Sequence, residues 1–132
     1  MKILIIDDHE LFSYSLKLVI EKYSENNQVS IKSDSSKIEY FLTENEIDII
    51  LLDINLKNEN GLVVGENIKV KHPEIPLVFL TGFDLPEYRL QAKKINADGF
   101  ISKNTKPEKL ITSLEEIIVN GESVESIAED VD

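Results

Sequence analysis

Ile47-Asp48-Ile49-Ile50-Leu51-Leu52-Asp53 reads as a strongly apolar strand over Ile47–Leu52 that stops on an acid. The start of the chain has the same form, with Lys2-Ile3-Leu4-Ile5-Ile6 running into Asp7-Asp8. A strand that is apolar at nearly every position has both faces buried, as in a parallel sheet covered by helices on either side. Two more short runs fit. Ile75–Leu80 ends at Thr81, and Gly99–Ser102 ends at Lys103. Val29–Ser33 is a fifth strand candidate with weaker patterning.

Between these runs lie stretches of helical spacing. Leu11–Tyr23 carries Phe12, Leu16, Val19, Ile20 and Tyr23, with Asp8 where an N-cap would stand. Ser36–Thr43 is a short amphipathic stretch, and Leu62–Lys71 is stopped by Pro73. Pro86–Ile95, with Leu85, Tyr88, Ala92 and Ile95 on one side, and Pro107–Val119 follow, the last with Gly121 as its terminator. Five strands alternating with five helices, joined by right-handed crossovers, predict an α/β fold. The expected form is a flavodoxin-like (βα)5 doubly wound parallel sheet of order 2-1-3-4-5.

Length and composition agree with one such domain. The 132 residues are 42% apolar and 30% charged, with five Gly and four Pro, which excludes a low-complexity chain. There is no cysteine, so disulfides, thiolate metal sites and cysteine nucleophiles are excluded. The net charge of −11 would repel phosphate backbones and anionic membranes, so the chain alone should not bind DNA. No stretch approaches the ~18 apolar residues of a membrane span, and the opening apolar run is too short for a signal peptide. No membrane association and a cytoplasmic location are expected. The domain is expected to run over residues 1–121. Residues 122–132 read as an acidic tail or the start of a linker to an absent output domain.

In a parallel sheet every strand ends on the same side, and ligands bind there at the topological switch point. The residues to inspect are therefore Asp7 and Asp8, Asp53, Thr81 and Lys103. With order 2-1-3-4-5 the first and third strands are neighbours, so Asp7, Asp8 and Asp53 converge in one cleft. Two carboxylates 4 Å apart repel by ~4 kcal/mol at an effective dielectric of 20, and three need neutralising. Mg²⁺ suits an all-oxygen site that leaves room for water and phosphate oxygens. Lys103 adds a point charge and Thr81 a hydroxyl. A carboxylate, a divalent metal, a lysine and a hydroxyl around one spot describe a phosphoryl-transfer site with the carboxylate as nucleophile. Taken singly, each residue has a plainer reading as a cap, a turn or a surface lysine. Four successive apolar strands ending in Asp-Asp, Asp, Thr and Lys form a specific pattern.

These residues resemble the receiver domain of two-component response regulators. The matching stretches are Ile5-Ile6-Asp7-Asp8-His9, Leu51-Leu52-Asp53-Ile54-Asn55-Leu56 with Gly61 eight residues after Asp53, Leu80-Thr81-Gly82, and Gly99-Phe100-Ile101-Ser102-Lys103. Asp-Asp-His-Glu-Leu-Phe at 7–12, Ala97-Asp98-Gly99-Phe100 and Lys106-Pro107-Glu108-Lys109-Leu110 look like the LuxR/NarL-type subgroup. The resemblance implies that Asp53 is the phosphoacceptor for a sensor histidine kinase. It implies Mg²⁺ held by Asp7, Asp8, Asp53 and the backbone carbonyl of Asn55. Lys103 would pair with the acyl phosphate, and Thr81 and Phe100 would form the switch. Catalysis would extend only to the domain's own phosphorylation and dephosphorylation. Phosphorylation would promote homodimerisation or binding to an output domain, and DNA would be reached only through that domain. His9 is assigned no role.

The chain departs from the family in three places, one being Phe100, which lacks the hydroxyl of a tyrosine switch. Leu56-Lys57 replaces the usual Met-Pro, and Asn104 follows Lys103 where a proline with a cis bond is common. The last residue, Asp132, comes too soon for a helix-turn-helix output domain. The expectation is the N-terminal part of a LuxR-type transcriptional regulator, the alternative a stand-alone receiver acting by protein contact. An aspartyl-phosphate hydrolase would need an acid two residues after its nucleophile, and Asn55 stands there. A flavodoxin-like redox carrier would need a phosphate loop where Asp7-Asp8-His9-Glu10 would repel phosphate.

Overall fold

The computed structural model describes residues 1–120. Five parallel strands alternate with five helices: β1 (Lys2–Ile6), α1 (Glu10–Tyr23), β2 (Gln28–Lys32), α2 (Ile38–Glu44), β3 (Ile49–Asp53), α3 (Gly61–Lys71), β4 (Leu77–Thr81), α4 (Pro86–Lys94), β5 (Gly99–Ser102) and α5 (Pro107–Asn120). The strand order is β2-β1-β3-β4-β5, as expected, with every pairing parallel. Gly121 as a terminator and the 122–132 tail lie outside the described residues.

Side chains alternate across each strand, so one apolar run feeds two cores. Ile3, Ile5, Leu51, Val78 and Leu80 pack under α1 and α5 with Leu16, Ile20, Leu110, Ile111, Leu114 and Ile117. Leu4, Ile6, Leu52, Leu77 and Phe79 pack under α2, α3 and α4 with Ile38, Leu42, Val64, Ile68 and Ala92. Each such side chain contributes roughly 1.5–3 kcal/mol over being left in water. The second core leaves α3 no room for a side chain at Gly65, where a Cβ would meet the Phe79 ring at 2.5 Å.

β2 lies at a sheet edge and is mostly half-exposed beyond Val29, which accounts for its weak patterning. α1 begins later than Asp8 would place it. Its N-cap is His9, with no side-chain cap bond, and the Asp8 carboxylate instead accepts the Lys57 N–H at 2.6 Å. Leu56, in the Met position, is buried in the α2/α3/α4 core. The Lys103–Asn104 peptide is trans. No helix among the described residues is long and apolar enough to cross a membrane.

Candidate functional site

Register builds the site. Ile6 pairs with Leu52, so the residues that follow, Asp7 and Asp53, end side by side. Asp53 pairs with Leu80, which puts Thr81 one step beyond. Thr81 pairs with Ser102, and Lys103 follows directly, its N–H on the Thr81 carbonyl at 2.8 Å. Asp7 and Asp53 are each 1% exposed and Thr81 is fully buried.

Lys103 Nζ stands between the two carboxylates, 2.8 Å from Asp7 Oδ2 and 3.1 Å from Asp53 Oδ2. Nζ also stands over the Phe12 ring, 4.7 Å from its centre. Each buried aspartate also accepts a backbone N–H two residues on. Asp7 Oδ1 takes that of His9 at 2.8 Å and Asp53 Oδ1 that of Asn55 at 3.0 Å. Burial nevertheless holds the Asp7 carboxyl above its ordinary pKa; Lys103 and the His9 N–H pull against that, and the Asp53 charge adds to it. Thr81 Oγ1 accepts the Phe83 N–H and lies 2.9 Å from the Phe83 carbonyl and 3.4 Å from Asn55 Oδ1.

Two side chains reach the site that the sequence left without a role there. His9 Nδ1 lies 2.8 Å from Lys103 Nζ, 3.2 Å from Asp7 Oδ1 and 3.5 Å from Asp53 Oδ2. Lysine can only donate, so Nδ1 is the acceptor in that contact. The signal was its position directly after Asp7-Asp8. Tyr88 of α4 receives the Asn55 Nδ2–H on its phenol oxygen at 3.2 Å. In sequence it was one member of an apolar helix stripe.

Ligand atoms of Asp7, Asp8, His9 and Asp53 lie within 4.8 Å of one another. The three carboxylates form the hard oxygen donor set that a Mg²⁺-sized cation requires, and their mutual repulsion gives such a cation a favourable place to sit. Phe100 lies behind the site, 2% exposed and packed beside Phe79. The Arg89 guanidinium covers its ring at 4.5 Å and is itself forked onto Asp84 at 2.6 and 2.9 Å.

A parallel sheet of this order, with buried acids and a lysine at its carboxyl edge, defines a class. The family model of the response regulator receiver domain matches residues 3–115, and the chain belongs to that family. Its relatives narrow the class to the LuxR/NarL-type subgroup. The oxygen regulatory protein NreC of Staphylococcus epidermidis is 30% identical over 115 residues, covering 86% of this chain and 53% of the relative. The transcriptional regulatory protein YdfI of Bacillus subtilis is 32% identical over 120 residues, covering 89% of this chain and 54% of the relative. A solved LuxR family DNA-binding response regulator from Silicibacter pomeroyi is 28% identical, with a TM-score of 0.79 over 92% of this chain and 93% of that one. The chain thus spans about half the length of the curated relatives it matches.

Proposed function

We propose that this receiver is a phosphorylation switch in which Asp53 accepts a phosphoryl group from a sensor histidine kinase. The observation that carries the reading is Lys103 Nζ bridging Asp7 and Asp53 at 2.8 and 3.1 Å inside a buried acidic cluster. A carboxylate oxygen of Asp53 would attack phosphorus. The new P–O bond forms as the donor's P–N bond breaks, and that bond's electron pair stays on the departing imidazole. Negative charge then grows on the phosphoryl oxygens, where Lys103 and the Thr81 hydroxyl can meet it. Asp7, Asp8, Asp53 and the Asn55 carbonyl would hold Mg²⁺. Bound there, the ion would neutralise phosphoryl charge.

The resting structure has Lys103 engaged by two carboxylates and Thr81 engaged by Phe83. A phosphoryl group offers both of them stronger, charged acceptors. That difference supports a population shift towards a state with Thr81 closed on Asp53, and Phe100 would respond to the space Thr81 vacates. The phosphorylated domain would form a homodimer and act on DNA through an output domain beyond residue 121, in the cytoplasm. The printed descriptions of YdfI as a transcriptional regulator and of the Silicibacter protein as DNA-binding support that extension. Nothing in the site favours a hydrolase. The Asn55 side chain is an amide engaged with Tyr88, and it has no acidic proton to give.

The test is the intact mass of the protein after treatment with acetyl phosphate and Mg²⁺. One added phosphoryl group is expected, absent with EDTA and absent in Asp53→Ala. An unmodified wild-type mass would overturn the reading.

A further inference from the structure

Asn55 is the joint between the acidic site and α4. Its backbone N–H is bonded to Asp53 Oδ1 at 3.0 Å. Its side-chain carbonyl oxygen lies 3.4 Å from the Thr81 hydroxyl. Its side-chain amide donates to the Tyr88 phenol at 3.2 Å, across 33 residues of sequence. Tyr88 sits in the first turn of α4 and packs against the core that holds Phe100. The residue after it, Arg89, covers the Phe100 ring. The start of α4 therefore touches the site through Asn55 and the aromatic through Arg89.

We propose that Tyr88 is a positioning residue. Its hydroxyl commits the Asn55 amide to α4 in the resting state, and a phosphoryl group on Asp53 must draw that amide away. This rests on the reading of Asp53 as the phosphoacceptor. The phosphoryl group and the phenol compete for one donor. A phosphoryl group brings three acceptor oxygens to a site whose donors are already engaged. Lys103 serves Asp7, Asp53 and His9, and the Asn55 backbone N–H serves Asp53. The Asn55 side-chain amide is bonded only to a neutral phenol oxygen, a weaker acceptor than an anionic phosphoryl oxygen. With the Thr81 hydroxyl, which serves the neutral Phe83 carbonyl, it is thus one of the two donors most easily recruited from their present partners. Recruiting the amide removes one tie between α4 and the site, so the charge state of Asp53 is reported to α4 without passing through Thr81.

The consequence has a sign. Removing the phenol oxygen takes away a bond that favours the resting state, so the phosphorylated state should become easier to reach. Beryllofluoride with Mg²⁺, an inert phosphoryl mimic, would be titrated into wild type, Tyr88→Phe, Asn55→Ala and the double variant, followed by backbone NMR. Tyr88→Phe is expected to reach half-saturation at about two- to tenfold lower mimic, as losing one ordinary net hydrogen bond from the resting state implies. In the Asn55→Ala background the same change is expected to do nothing, because there is no amide left to release. The Asn55 side-chain amide resonances should move in unliganded Tyr88→Phe. A purely structural role for Tyr88 would lower the melting temperature but leave mimic affinity unchanged. Unchanged or weaker affinity in Tyr88→Phe, or an equal gain with and without Asn55, overturns the proposal. If wild type fails to bind the mimic, the phosphoacceptor reading has failed instead.

Discussion

The middles and the ends of the central strands are equally buried and chemically opposite. Ile3–Ile6, Ile49–Leu52 and Leu77–Leu80 are fully shielded from solvent. Asp7, Asp53 and Thr81 continue the same three lines and are shielded just as well. Along the strands that shielding is the main source of stability. At their ends it opposes ionisation, and it keeps the Asp7 carboxyl above its ordinary pKa. Burial alone therefore says nothing about whether a position supports the fold. The same sheet stabilises itself through one set of residues and holds reactive carboxylates with the next. Stability and phosphoryl acceptance should separate between residues that are adjacent in sequence.

The largest expected effect divides Leu52 from Asp53. Asp53→Asn should abolish the acetyl phosphate adduct completely, yet melt at or above the wild-type temperature in chelator, since one of three crowded negative charges is gone. Leu52→Ala should cost about 2–5 kcal/mol in denaturant unfolding, while its folded fraction still gains the phosphoryl group under native conditions. A destabilised Asp53→Asn would mean that the carboxylate supports the fold and that the division is false. Next in size is the metal. At a Mg²⁺ concentration one hundred times its dissociation constant, unfolding should become about 2.7 kcal/mol harder, with EDTA reversing the gain. Asp7→Asn should lose this response and show the reverse effect without metal. A carboxyl raised in the folded state favours folding when protonated, and that advantage is lost as pH rises through the folded value. Ionised Asp7 is therefore a cost at neutral pH. The variant should unfold later than wild type there in EDTA, and the difference should close in acid. A variant equal to wild type at pH 7 would show that Lys103 already offsets the burial in full.

The strand ends were legible in the sequence because a parallel sheet aligns them, so the run-and-stop pattern at Asp7, Asp53, Thr81 and Lys103 carried both the fold and the cleft. Boundaries were less so. The apolar run suggested a start at Ile47, but β3 begins at Ile49; Asp48 just before it still bonds its backbone N–H to the Lys2 carbonyl at 2.8 Å and takes the Lys2 N–H on its carboxylate at 2.7 Å. Asp8 has the right spacing for a cap, but its carboxylate takes the N–H of Lys57, in the loop after β3, instead. His9 was signalled only by its place directly after Asp7-Asp8, and Tyr88 was beyond reach for a different reason. A one-dimensional pattern shows which face of a helix is apolar, not where a polar tip on that face ends. The Tyr88 ring supplied the stripe that was read, and its hydroxyl supplied the contact that was not.

The smallest effect tests the comparison where burial is incomplete, at the sheet edge. Val29 of β2 pairs inward with Ile3, and its N–H and carbonyl are taken up by α1. Glu21 Oε2 accepts the Val29 N–H at 2.9 Å, and Lys17 Nζ donates to the Val29 carbonyl at 2.6 Å. Lys17 and Glu21 are themselves 3.0 Å apart, so one ion pair closes an edge that would otherwise offer unpaired backbone to another strand. The Val29 N–H, and after it Lys17, hold the Glu21 carboxyl below its ordinary value of 4.5. A depressed carboxyl adds stability above its unfolded value and loses it as pH falls through the folded one. Glu21→Gln should therefore cost up to about 1 kcal/mol at pH 7, the pair being partly solvated. It should cost nothing once the pH is below the folded value. A deficit that stays constant through that titration would assign the clamp to shape and hydrogen bonding alone. The edge would then be held by the same uncharged interactions as the strand middles rather than by charge.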